Sequence, residues 1–377
     1  MLVPYPGIRG PLPKLVPVLA EALRRLGCVV ETEPWSRHSD EERLADKVVG
    51  RAGDLLRVCR HLARRRFDVL FVSTAHNWPG LLRDVPLVLL SVPLCPHRVV
   101  QFHGSSSERL AAPGGFLFKG LSRVLVSACD VILVLSEQER AEWQAFHPQG
   151  RFEVVANPFV PQSPDTSARP DQAGEGRAAR PAATRLLFVG RLIPEKGIFD
   201  VLEALAMQEG KSQCSLVVAG EGPAAEAVRS RITRLGLGQR VELRGYLGPN
   251  QLAEAYGSAD VLVLPTYHPE GFPTVILEAM YSGLAVVTTP VRGAADRLVE
   301  GVNALFVPPR RPDVLAGALG RLADDPGLRE EMGRNNRRKV QEFTPERVAP
   351  TYLAILMSVA ERDLEAATRR AGEGIPS

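Results

Sequence analysis

The chain has 377 residues, of which 45% are apolar and 24% charged, with a formal net charge of +3. That length favours two domains of about 150–200 residues each, and the composition is that of a globular chain able to build a full core, excluding a disordered one. So small a charge gives no support for a nucleic-acid partner, although the first half is the more basic.

The five cysteines, Cys28, Cys59, Cys95, Cys129 and Cys214, form no CxxC pair. Neither a disulfide framework nor a zinc site is indicated, and a reducing cytoplasm is the expected compartment. Met1 to Pro6 lacks the basic region and apolar core of a secretion signal, and no run approaches the roughly 18 apolar residues that span a bilayer.

Along residues 1–160 the pattern predicts strands at Leu2–Tyr5, Cys28–Glu31, Val69–Ser73, Leu87–Leu90, Val99–His103, Val131–Leu135 and Phe152–Val155. Helices are expected at Leu12–Leu26, Asp40–Arg66, Gly115–Ala128 and Ser136–Phe146, the last capped by Ser136 with Glu137 and Glu139 in its first turn. Residues 161–184 are rich in Pro, Ala, Gly, Ser and charge and read as a flexible linker. A second α/β series then runs through residues 185–343, with strands at Arg185–Val189, Ser215–Ala219, Val241–Arg244, Val261–Leu264, Ala285–Thr288 and Ala304–Val307. Residues 344–377 hold a long terminal helix, expected to pack back toward the first domain, and a tail. The fold class is α/β, with two doubly wound Rossmann-like domains facing a cleft and ligand at the carboxyl ends of the strands.

The densest motif is His268-Pro-Glu-Gly-Phe-Pro-Thr-Val-Ile-Leu-Glu-Ala-Met280, in which two glutamates stand eight residues apart around a helix start. Free amides and the helix dipole attract an anion there, with phosphate the natural candidate. Just past the strand Arg185–Val189, Gly190-Arg191 to Lys196-Gly197 places two cations where they can straddle a diphosphate. Gly220-Glu221-Gly222-Pro223 allows close backbone approach, and Gly245-Tyr246 can wall a base, although an ordinary strand-to-helix turn explains either equally well. A glycosidase acid/base pair is the rival for the glutamates, but eight helical residues span roughly 12 Å, beyond the about 5–9.5 Å such pairs need.

Together these segments resemble the donor-binding domain of the retaining GT-B glycosyltransferases of the family 4 type, over about Arg185 to Phe343. The resemblance implies a nucleoside diphosphate sugar as donor, UDP- or GDP-linked, a hydroxyl acceptor such as a glycan, a lipid-linked saccharide or a small metabolite, and no cofactor or metal. It implies that Glu270 meets the donor sugar, that Glu278 holds the ribose, and that Arg191 and Lys196 neutralise the diphosphate. Amides around Gly271, Phe272, Thr274 and Val275 would bind sugar or phosphate oxygens, with Gly190, Gly220, Gly245 and Tyr246 completing the donor site; Pro273 has no amide proton to give. In the first half, Val99-Val-Gln-Phe-His103-Gly104 resembles the family's strand whose histidine faces the donor, making His103 catalytic with Arg191, Lys196 and Glu270. Gly10 matches the family's first-strand loop, although the strand before it is shorter than usual and Gly7 and Gly10 are not adjacent. His76 is weighed as acceptor-facing or structural, the structural role ahead, and Asn157 as a turn or hinge. An epimerase of the same fold, or a non-catalytic nucleotide-sugar-binding partner, stands as the alternative.

Between Asp54 and Phe67, Leu55, Val58, Cys59 and Leu62 recur at helical spacing beside Arg57, Arg60, Arg64, Arg65 and Arg66. The plain reading is a core-facing helix with a solvated basic rim. The functional one is peripheral contact with anionic lipid on the inner face of the membrane.

Overall fold

The computed structural model describes residues 1–5, 12–35, 44–161, 183–208 and 214–372, with the backbone alone for 44–48 and 362–372. It forms two compact units. The first comprises Met1–Val160, Pro269–Gly271 and Phe343–Ser377; the second comprises Pro161–His268 and Phe272–Glu342.

The first unit is built on a six-stranded sheet, β1 (Leu2–Val3), β2 (Glu33–Pro34), β3 (Val69–His76), β4 (His97–Ser105), β5 (Val131–Val134) and β6 (Phe152–Val154), in the order β2-β1-β3-β4-β5-β6. All its pairings are parallel. Parallel strands need covered faces, so β5 is buried along its whole length. On one face α1 (Leu12–Arg25) packs with the terminal helix α14 (Pro345–Gly372), through Leu19 and Leu23 against Val348, Tyr352 and Ile355. The other face carries α2 (Leu44–Arg64), α3 (Trp78–Ser91), α5 (Phe116–Ser127) and α6 (Glu137–Phe146), over a core containing Val58, Val85, Phe118 and Trp143. The short α4 (Glu108–Ala111) bridges β4 and α5.

Two sequence expectations fail here. Leu87–Leu90, read as a strand, is the last turn of α3. Asn77 caps that helix by accepting from the Gly80 amide at 2.9 Å, and Leu81, Val85 and Val88 line the core at helical spacing. A short apolar run behind a proline has no periodicity of its own to separate strand from helix. Cys28–Glu31 is likewise not the second strand; the amides of Glu33 and Trp35 donate to the carbonyls of Met1 and Val3, so pairing starts beyond it. Ser136 caps α6 as expected, accepting from the Glu139 amide at 3.1 Å.

The second unit carries β7 (Thr184–Val189), β8 (Cys214–Ala219), β9 (Val241–Gly245), β10 (Val261–Leu264), β11 (Ala285–Thr288) and β12 (Ala304–Phe306) in the order β12-β11-β10-β7-β8-β9. These strands are also parallel, and β10 and β11 are buried at every residue. Its helices are α7 (Ile198–Ala206), α8 (Ala225–Arg234), α9 (Pro249–Ser258), α10 (Thr274–Tyr281), α11 (Gly293–Arg297), α12 (Pro312–Asp324) and α13 (Pro326–Lys339). Most of the span read as a linker, 162–182, lies outside the described residues; Thr184 already opens β7.

Candidate functional site

Because every strand of the second sheet runs the same way, all six carboxyl ends rise along one edge. Three of them are laced together. The Gly190 amide donates to the Ala219 carbonyl at 3.0 Å and the Gly220 amide to the Gly245 carbonyl at 2.7 Å, tying the ends of β7, β8 and β9. A Cβ on Gly220 would stand 1.9 Å from the Gly190 carbonyl oxygen, so this crossing admits no side chain.

Beyond Gly190 the chain turns through Arg191 into a 3-10 segment, Pro194–Lys196, and then Gly197 at φ 78° starts α7. A Cβ on Gly197 would meet the Pro265 carbonyl oxygen at 2.4 Å, and the Glu195 carbonyl accepts from the amides of Tyr267 (2.8 Å) and His268 (3.1 Å). The loop after β7 is thus fastened to the loop after β10. Lys196 is buried, and its Cδ lies 3.9 Å from where a Gly190 Cβ would be, so its stem runs against the end of β7. Arg191 is exposed. Glu221 turns toward the next strand end, its Oε1 3.6 Å from a Cβ built on Gly245, while Tyr246 beside it is 59% exposed.

Further along the edge, Thr288 Oγ1 donates to the Leu264 carbonyl at 2.8 Å, and Thr289 Oγ1 donates to the Thr266 carbonyl. These buried hydroxyls hold the approach to α10. Pro273 precedes that helix and gives no side-chain cap; the Ile276 amide returns to the Pro273 carbonyl at 3.0 Å. The amides of Thr274 and Val275 open the helix, where none has an acceptor one turn back within it. Glu278 follows one turn later. Its carboxylate lies close enough to Tyr256 to add to the upward push that burial gives that phenol, whose hydroxyl donates to the Val275 carbonyl at 3.3 Å.

Sequence reasoning missed two residues of this edge. Arg292, buried after β11, and Arg310, after β12, both hold left-handed backbone (φ 48° and 58°), and the Arg310 guanidinium sits 4.7 Å from the Tyr267 ring centroid. Each stands four residues past its strand end, farther out than Arg191 stands from β7, so closeness to the strand end did not mark them.

The remaining named residues stand in or near the first unit. Glu270 and Gly271 group with it, and Phe272 is buried at the boundary of the second. His103, near the end of β4, has both ring nitrogens shut from solvent and without a hydrogen-bond partner. Burial pushes its pKa down to about 3, partly offset by the nearby Asn157 side chain. His76 belongs to the core: its ring packs among Phe102, Phe118 and Trp143 at centroid distances of 5.2, 4.8 and 4.6 Å, and Nε2 meets Ser122 Oγ at 2.9 Å. Its pKa also falls to about 3, first through burial and then through Arg109. Gly10 lies outside the described residues.

Comparison with known proteins places this edge in context. Residues 177–339 match the glycosyl transferases group 1 family. Alpha-D-kanosaminyltransferase of Streptomyces kanamyceticus is 31% identical over 303 residues, covering 75% of this chain and 76% of that protein. D-inositol 3-phosphate glycosyltransferase of Corynebacterium efficiens is 33% identical over 362 residues, covering 89% and 80%. The crystal structure of Anabaena Alr3699/HepE in complex with UDP-glucose superposes with a TM-score of 0.69 at 18% identity over 95% of this chain and 98% of that one, a likeness of GT-B fold. The chain belongs to the glycosyl transferases group 1 family and is a glycosyltransferase.

Proposed function

We propose that the protein transfers a sugar, with retention, from a nucleoside diphosphate sugar to a hydroxyl acceptor, using the strand-end edge of the second unit as its donor site. The observation that carries this reading is the close backbone crossing of Gly190, Gly220 and Gly245 beside the Arg191–Lys196 turn and the uncapped start of α10. Side-chain-free backbone lets a diphosphate approach closely, and cations and helix-start amides give it charge complementarity. Lys196, Arg191 and the Thr274 and Val275 amides stabilise the charge that builds on the leaving group. Glu278 takes the ribose hydroxyls, Glu270 the donor sugar, and Tyr246 the base. Neutral at physiological pH, His103 can offer a ring N–H to the donor.

In the reaction, the bond from the anomeric carbon to the diphosphate oxygen breaks and the acceptor oxygen bonds to that carbon on the same face. The acceptor proton passes to the departing diphosphate, leaving a glycoside and a nucleoside diphosphate. The UDP-glucose complex of the Anabaena protein supports UDP as the first nucleotide to test, with GDP next. No described helix is long and apolar enough to cross a membrane, and the acceptor is a glycan, a lipid-linked saccharide or a small metabolite.

Thermal-shift screening against UDP, GDP and ADP, followed by turnover of the matching sugar donors, tests the reading. One nucleotide should raise the melting temperature preferentially, and its sugar donor should be consumed. The reading fails if no donor is consumed and Lys196→Ala and Glu278→Ala bind nucleotide as the parent chain does.

A further inference from the structure

In the first unit α3 lies between α2 and α5 on one face of the sheet, so the outward sides of these three helices form one surface. The inward residues obey the usual pattern. The outward ones do not: Leu82, Leu89 and Leu90 of α3 are 63%, 46% and 52% exposed, and Phe116 and Leu117 at the start of α5 are 86% and 68% exposed. Leu82 and Leu89, seven residues apart, fall on one side of α3 flanking the buried Leu81, Val85 and Val88, and Leu90 lies opposite Leu81. Soluble surfaces scatter single apolar residues; a run of them across neighbouring helices marks a docking surface.

Charge identifies what docks. The basic residues of α2 and of the turn after it divide into two sets. Arg57 and His61 turn to Glu31, Glu33 and Asp54, Arg57 reaching Asp54 at 2.8 Å and Glu33 at 3.3 Å and His61 meeting Glu31 at 2.9 Å, while the exposed Arg65 just past the helix pairs with Glu31. Arg60 and Arg64, four residues apart, are exposed on the same side as the exposed Leu56. The Cys95 thiol donates to the Phe67 carbonyl at 3.4 Å, which holds the chain after α3 beside the chain after α2. On the far side α5 adds Arg123, exposed over the Phe146 ring, and carries no acid. The acids with described side chains on these helices, Asp54 and Asp84, are both buried.

We infer that this face of the first unit docks on an anionic lipid bilayer, Leu82, Leu89, Leu90 and Phe116 entering the interface while Arg60 and Arg64 meet the headgroups. An apolar band on helices whose described acids are buried, accompanied by exposed arginines on α2 and α5 that outnumber the exposed Asp68 after α2, complements such a surface. A second copy of the chain would bring the same cations against one another, which disfavours self-association. The inference does not depend on the donor site.

Flotation of the full chain with vesicles of phosphatidylcholine alone and with added phosphatidylglycerol tests it. The protein should float with the anionic vesicles and release in high salt. Arg60→Gln with Arg64→Gln should cut partitioning by about 10–30-fold, and Leu82→Ser with Leu90→Ser at least as much. Circular dichroism and nucleotide binding should be unchanged, because these side chains face solvent and lie outside the donor edge. The inference is overturned if the parent chain binds neither vesicle, binds both equally, or is unaffected by both pairs of changes. It is also overturned if the chain sediments as a dimer that Leu82→Ser with Leu90→Ser dissociates, which would make the face a contact between copies.

Discussion

Gly220 crosses Gly190 so closely that a Cβ on the first would stand 1.9 Å from the carbonyl oxygen of the second. The atom in the way is backbone, held by the Gly190 amide on Ala219, so it cannot rotate aside. Gly220→Ala therefore has to part the ends of β7 and β8. We expect a loss of about 1–3 kcal/mol in stability, the scale of overpacking and local backbone strain, and a larger loss in donor affinity. Chemical denaturation and nucleotide titration measure the two separately; an alanine variant with parental affinity would show that the crossing does not shape the donor site.

Lys196 is a buried ammonium whose stem is clamped against the end of β7. Replacing it with alanine should weaken nucleoside diphosphate binding by roughly 1.5–3 kcal/mol, the range for hydrogen bonds to charged groups, and leave binding of the bare nucleoside nearly unchanged. Calorimetry with the diphosphate and the nucleoside checks this contrast. Equal losses for both would move Lys196 away from the phosphates.

Glu278 is expected to behave in the opposite sense. Glu278→Gln keeps the shape of the side chain but not its charge, and a carboxylate accepting two ribose hydroxyls should cost about tenfold to a hundredfold in affinity when neutralised. The deoxyribose analogue should bind the parent chain and the variant with similar affinity. If the variant discriminates ribose from deoxyribose as strongly as the parent chain, Glu278 is not the ribose acceptor.

His76 and His103 both have pKa values near 3 in the fold, where burial keeps them neutral. In the unfolded chain an imidazole binds its proton below about 6.5. Their contribution to stability is therefore complete above that pH and is lost as the pH falls toward 3, by about 1.4 kcal/mol per pH unit for each. Urea unfolding between pH 6.5 and 5 should show that slope, and His103→Asn should reduce it by one proton. An unchanged slope in the variant would mean that His103 titrates normally.

Tyr352 in α14 is fully buried, accepts from Gln101 Nε2 at 2.7 Å and donates to the Ala156 carbonyl at 3.1 Å. Tyr352→Phe should cost about 1–3 kcal/mol, because it takes an acceptor from the buried Gln101 side chain and the donor from the Ala156 carbonyl. It should leave nucleotide affinity unchanged, as the contacts belong to the first unit.

Much of the strand-end edge of the second unit was legible because its residues obey local rules: β7 runs into Gly190, β8 into Gly220, β9 ends on Gly245, and Pro273 precedes a helix with no side-chain cap. The strand at Leu87–Leu90 was misread because a four-residue apolar run looks the same in a sheet and on a helix. Only the Asn77 cap and the core contacts of Leu81 and Val85 settle it. Likewise the basic stretch from Arg57 to Arg66 reads as one charge cluster in sequence, yet the edge carboxylates Glu31 and Glu33 take Arg57, His61 and Arg65 as partners, while Arg60 and Arg64 lie exposed beside them.

By itself the sequence determined that the chain is an α/β protein with parallel sheets, where the strand ends of the second sheet fall, and which of them carry cations and glycines, since periodicity and turn chemistry act over a few residues. The tertiary structure alone decided that Gly220 lies against Gly190, that Lys196 is buried while Arg191 is not, and that three helices share an apolar outer face. Those relations join residues tens of positions apart, and they arise from packing rather than from local preference.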